Sequence, residues 1–169
     1  MKHPYPAMVE IAREVHAQLS PHCLRVEIAG SIRRKAQLCG DVEIVLIPKP
    51  YDVGLFASGI ATVIDDWEPV KGQLPCKYTQ RIYNPRGLML PTVKVDIFIV
   101  SPGNWGMQFL IRTGSADFSK MIAARWVEKG YHSQGGYLHS GGLKIDTPTE
   151  MDVFSRLGME YIEPENREV

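Results

Sequence analysis

The chain has 169 residues, enough for one domain or two small ones sharing a core. Hydrophobic residues make up 44%, which supports a packed core and excludes a disordered chain. Lys plus Arg and Asp plus Glu number 19 each, and this zero net charge argues against strong sequence-blind adhesion to nucleic acid, though a local basic groove stays open.

In chain order, Met8, Ile11, Ala12, Val15 and Leu19 recur at helical spacing, and Pro21 ends that helix. Leu24 to Ala29 reads as a strand running into Gly30-Ser31, and Asp41 to Ile47 as a second strand closed by Pro48. Asp52 is placed to cap a helix from Val53 to Trp67, with Phe56, Ile60, Val63, Ile64 and Trp67 on one side. Lys77 to Tyr83 and Thr92 to Val100 are strand-like, joined by a loop over Asn84 to Pro91.

Ser101-Pro102-Gly103-Asn104 marks a boundary, giving an N-terminal helix over 1–23, a sheet-rich part over 24–104 and a smaller part over 105–169. In the last part Trp105 to Ile111 is a short helix. Ser115 caps a longer one that stops near Gly130. Tyr137-Leu138 and Leu143 to Ile145 flank a Gly141-Gly142 turn and predict a hairpin. Thr147-Pro148-Thr149-Glu150 predicts a capping box with proline at the first helical position, for a helix ending at Gly158. The expected fold is α/β (α+β): a mixed sheet followed by a small helix-and-hairpin subdomain.

The three cysteines and five histidines lack metal-ligand spacing, so free thiols in a reducing compartment are expected. The N-terminus has no apolar stretch like a signal peptide, and the apolar runs are too short to span a bilayer. A soluble, cytoplasmic, monomeric protein without membrane contact is the expectation.

Chemistry concentrates in two runs. Asp41 and Glu43 stand two apart on a strand and so project from one face, while Val42, Ile44 and Leu46 take the other. In Val93-Lys94-Val95-Asp96-Ile97, the polar pair Lys94 and Asp96 again share a face. If the strands pair, three carboxylates converge, and like charges that close call for a cation. A sheet with one solvated face gives the same alternation, so the Asp41–Glu43 pair alone decides nothing. Gly30-Ser31 adds weight. It lies at a strand end, where backbone N–H groups and the Ser31 hydroxyl can meet a phosphate, with Arg34 as a fork for its oxygens.

The run from Gly30 to Glu43 resembles the nucleotidyltransferase signature of family X DNA polymerases, the DNA polymerase beta group. Thr113-Gly114-Ser115-Ala116-Asp117-Phe118-Ser119-Lys120 is similar to that family's Thr-Gly-Ser-x-x-Phe-Asn-Lys motif. The tail from Thr149-Glu150 through Phe154, Leu157-Gly158 and Tyr161-Ile162 to Pro164-Glu165-x-Arg167-Glu168 resembles its closing pattern.

The resemblance implies a palm followed by a thumb, without the family's lyase and finger domains. It implies a nucleoside triphosphate and a DNA 3′-end or gapped DNA as partners, and a place in DNA repair. Asp41, Glu43 and Asp96 would be catalytic and would hold two ions of Mg2+ or Mn2+, with Asp96 facing the attacking hydroxyl. Gly30, Ser31, Arg34 and Gly40 would bind the triphosphate. Lys94 stands where relatives have an arginine that holds the third acid, and it and Lys120 would face the DNA. Ser119 replaces an asparagine that reaches the incoming base. Relatives place Tyr-Phe before Thr-Gly-Ser, where this chain has Ile111-Arg112. Arg112 and Gly114 would then lie along the nucleotide. Glu43 stands where relatives have aspartate. Two other readings remain open: transfer to RNA, a protein or a small molecule, and a non-catalytic module that binds nucleotides or DNA ends.

Overall fold

The computed structural model describes residues 1–50, 59–74, 76–87 and 89–168. The expected cap at Asp52 and the helix start through Val53 and Phe56 lie outside the described residues. The chain divides into two compact units, Met1–Ile99 and Val100–Val169.

In the first unit a two-residue strand β1 (His3–Pro4) leads into helix α1 (Tyr5–Leu19). Strand β2 (Cys23–Ile28) follows, then the one-turn helix α2 (Gly30–Arg33), β3 (Leu38–Cys39) and β4 (Val42–Pro48). After α3 (Ile60–Ile64) come β5 (Glu68–Lys71), β6 (Tyr78–Tyr83) and β7 (Val93–Ile99). The main sheet runs β2-β4-β7-β6-β5 and is mixed: β4 and β7 are parallel, and the other pairs antiparallel.

Helix α1 buries the residues its periodicity singles out. Met8, Ile11, Ala12, Val15 and Leu19 are wholly buried and join Val42, Ile44, Leu46, Val95 and Ile97 from the sheet. Each large apolar side chain so buried contributes roughly 1.5–3 kcal/mol. This core claims one parity of β4 and β7, so the other parity carries the acids. The short β1 pairs with β3, and β5 forms the sheet edge beside β6; the sequence reading has neither. Helix α3 ends before Trp67, whose buried ring meets Tyr83 edge-on with centroids 4.9 Å apart. Burial pushes the Cys23 thiol up to about 11, and all three cysteines are free.

The second unit holds α4 (Trp105–Thr113), α5 (Ala116–Glu128), the antiparallel strands β8 (His132–Gln134), β9 (Tyr137–Ser140) and β10 (Leu143–Ile145), and α6 (Glu150–Leu157). Its core gathers Met107, Leu110, Phe118, Ile122, Trp126, Leu138, Val153, Phe154 and Leu157. Ser115 caps α5, its Oγ accepting the Phe118 N–H at 3.1 Å. Gly158 ends α6 at φ +64, as a left-handed stop requires.

The capping box of α6 sits two residues later than expected. Thr149, not Thr147, is the cap, and Asp152 completes the box. The reason is backbone bonding: Thr147 donates to the Gly103 carbonyl and accepts from the Gly106 N–H, each at 2.7 Å, which keeps it out of the helix. Arg167 is wholly buried in this unit. It pairs with Glu150 at 2.6 Å, donates to the Ile162 carbonyl at 2.9 Å, and lies beside the rings of Phe118, Phe154 and Tyr161. The Arg167 carbonyl in turn accepts the Ser115 N–H at 2.9 Å, which fastens the Gly114-Ser115 turn to the tail. None of the described helices is long and apolar enough to cross a membrane.

Candidate active site

Strand register sets the first unit's site. In the parallel pair β4–β7, Glu43 stands beside Asp96, and Asp41 immediately precedes β4. Alternation then puts Asp41, Glu43, Lys94 and Asp96 on the face away from α1. Asp41 is half-buried. Desolvation pushes its carboxyl up from the ordinary value, the nearby Asp96 pushes it further, and Lys94 partly offsets both. The structure therefore brings Asp41 and Asp96 within electrostatic reach of each other.

Glu43 behaves differently. A Cβ placed on Gly30 would meet Glu43 Oε2 at 1.7 Å, so this carboxylate lies directly on the α-carbon of Gly30. Gly30 also has φ +62, which makes glycine doubly required there. With Glu43 on this turn, the expected three-way convergence is not seen. Among the described residues, no group of three or more His, Cys, Asp or Glu side chains stands ready to hold a metal ion. The glutamate arm is long enough to reach the turn. Two oxygen-donor acids of like sign, one already reluctant to ionise, nonetheless fit a hard divalent cation.

Asp96 is only 8% exposed and is held by neighbours the sequence reading missed. The Tyr78 hydroxyl and the Gln80 amide both donate to its Oδ1, each at 2.7 Å. Gln80 is directly opposite Asp96 in the antiparallel pair β6–β7, and Tyr78 is two residues along on the same face. The signal was available in principle: Tyr78 and Gln80 have the same spacing as Asp41 and Glu43. Reading it needs the β6–β7 register, which the sequence alone does not supply.

Of the phosphate-turn residues, Ser31 and Arg34 are half-buried on and just after α2, and Gly40 is exposed between β3 and β4. Lys94 is exposed on β7. In the second unit Arg112 is half-buried in the last turn of α4. Gly114 lies where a Cβ would meet the Phe118 ring at 2.4 Å. The Ser119 hydroxyl donates to the Ile111 carbonyl at 3.0 Å. Lys120 is exposed and pairs with Asp117 at 3.0 Å.

Comparison with known proteins agrees with both halves. Residues 108–168 match the family described as DNA polymerase beta thumb. The second unit is therefore a thumb of the polymerase beta type, following a mixed-sheet unit that carries paired acids. Along nearly the whole chain, 96% of it, the sequence is 30% identical to DNA polymerase lambda of Rattus norvegicus. Over nearly its whole length the chain resembles the family X DNA polymerases. It spans about a third of that relative's length, 32%.

Proposed function

We propose that this chain adds a nucleotide to a DNA 3′-end, with magnesium or manganese as two bound ions. The observation that carries this reading is the Asp41–Asp96 pair: two acids of like sign on one face of the parallel strands β4 and β7 and their approach, with the Asp41 carboxyl pushed up by burial and by its neighbour. A divalent cation relieves that repulsion. The likeness to the family X DNA polymerases supports the substrate class.

In this reading Asp41 and Asp96 hold the metal, and Glu43 joins them on leaving Gly30. Held there, the ions would supply the positive charge that such a transfer needs at the acceptor hydroxyl and the leaving pyrophosphate. Asp96 orients the acceptor hydroxyl and accepts its proton. Ser31, Arg34 and the backbone at Gly30 and Gly40 bind the outer phosphates, Arg34 as a charged fork. In the second unit, Arg112, Gly114 and Ser119 are the proposed nucleotide contacts. Ser119 contacts the nucleotide through its lone pairs, because its proton is committed to Ile111. Lys94 and Lys120 meet the DNA backbone.

The test offers labelled nucleotide, with magnesium or manganese, to primed DNA, to RNA and to no acceptor. Extension of DNA, lost in Asp41→Asn and Asp96→Asn with the fold intact, is the expected result. Transfer only to RNA or to another acceptor moves the chain to a different acceptor class. Nucleotide binding without transfer makes it a binding module.

A further inference from the structure

We infer that Tyr78 and Gln80 are positioning residues for Asp96, setting the rotation of its carboxylate for nucleotide transfer. The inference rests on the transfer reading above.

Asp96 sits on β7, the central strand of the five, and its two donors come from the adjacent β6. Both bonds end on the same oxygen, Oδ1, at 2.7 Å. Two donors converging on one oxygen fix the carboxylate's rotation and leave Oδ2 outside both bonds. The Tyr78 reach is itself set by its ring, which stacks on Phe98 with centroids 5.1 Å apart and planes at 28°. Each donor is neutral, so the acid is oriented without being paired to a cation.

Lys94 does not do this work. It is exposed, and among the described residues no ion pair joins it to Asp96. Its charge acts on Asp41. An ammonium is also a poor substitute for a planar fork that grips a carboxylate in a fixed orientation. The contacts that orient Asp96 come from the next strand.

Two variants separate positioning from simple packing. Tyr78→Phe keeps the stacked ring and removes the hydroxyl. Gln80→Met keeps the length and removes the amide. Each is expected to lower kcat about 10-fold and the double variant about 100-fold, the loss a displacement near 1 Å brings. KM for the nucleotide should stay within about two-fold of wild type, since the phosphate turn is untouched. Mn2+ affinity, read by water-proton relaxation without substrate, should fall in the same order. Lys94→Arg placed in the Gln80→Met background should recover much of the lost rate, because a guanidinium can take over the grip.

An unchanged kcat in the double variant, with circular dichroism showing a folded chain, overturns the inference. So does a loss that appears equally in kcat and KM with Mn2+ affinity intact. If the wild-type chain transfers nucleotide to no acceptor, the transfer reading fails and the Mn2+ measurement decides the rest. Weaker binding in the double variant then upholds the positioning of Asp96, and equal binding, or none in the wild type, overturns it.

Discussion

Asp96 in the first unit and Glu150 in the second are equally buried, each 8% exposed, yet their surroundings are opposite. Glu150 faces the Arg167 guanidinium at 2.6 Å in a wholly internal ion pair ringed by aromatic side chains. Asp96 faces two neutral donors and, nearby, a second acid. A carboxylate that holds structure together is matched by a charge of opposite sign. A carboxylate aimed by neutral groups has no such internal match, and a metal ion or reacting group can supply it.

The contrast breaks most visibly at Arg167. Arg167→Leu strands the Glu150 carboxylate in the interior and should destabilise the second unit by about 3–5 kcal/mol in urea unfolding. Adding Glu150→Gln should recover part of that loss. A double variant no more stable than the single would show that the rings, not the charge pair, carry the effect.

Gly30→Ala comes next. It forces a side chain into φ +62 and into the space filled by Glu43. A cost of about 1–2 kcal/mol is expected from the backbone alone. Glu43→Ala in the same chain should relieve only the steric part, so the two changes should be non-additive in a double-mutant cycle.

The α6 cap gives a smaller effect with a built-in control. Thr149→Ala should cost about 1 kcal/mol of stability. Thr147→Val should be neutral or slightly stabilising, because the Thr147 hydroxyl is buried without a hydrogen-bond partner. The reverse ranking would restore the cap to Thr147.

The smallest effect sharpens the comparison through pH. The Asp41 carboxyl is raised in the folded chain above its ordinary 3.8, so the folded state binds that proton better than the unfolded one. Stability from this group is therefore lost as pH rises from the unfolded value through the raised one. Asp41→Asn should melt higher than wild type at neutral pH in the absence of metal. The gap should close in acid below the unfolded value, and also on adding magnesium or manganese.

Much of this was legible in the sequence wherever period alone decides. The α1 face, the parity of Asp41 and Glu43, the Ser115 cap and the Gly158 stop all follow from local spacing, and the structure has each of them. What escaped depends on partners distant in the chain. Thr147 looks like a cap until Gly103 and Gly106 claim its backbone. The seat of the Glu43 carboxylate against a glycine thirteen residues earlier is invisible until the fold brings the two together. Gln80 looks like one more polar strand residue until register sets it opposite Asp96. Strand β5 goes unassigned in the sequence because Pro69 interrupts it, and an edge strand tolerates a proline that a central one does not.

The ion pair between Glu150 and Arg167 also has a consequence in time. The two residues are 17 apart, and the carbonyl of the later one closes the Ser115 turn. While the chain is being synthesised, α6 exists before its counter-charge does. The thumb is thus fastened from its far end backwards, and shortening the tail residue by residue should leave it sound until Arg167 is lost and then undo it in one step.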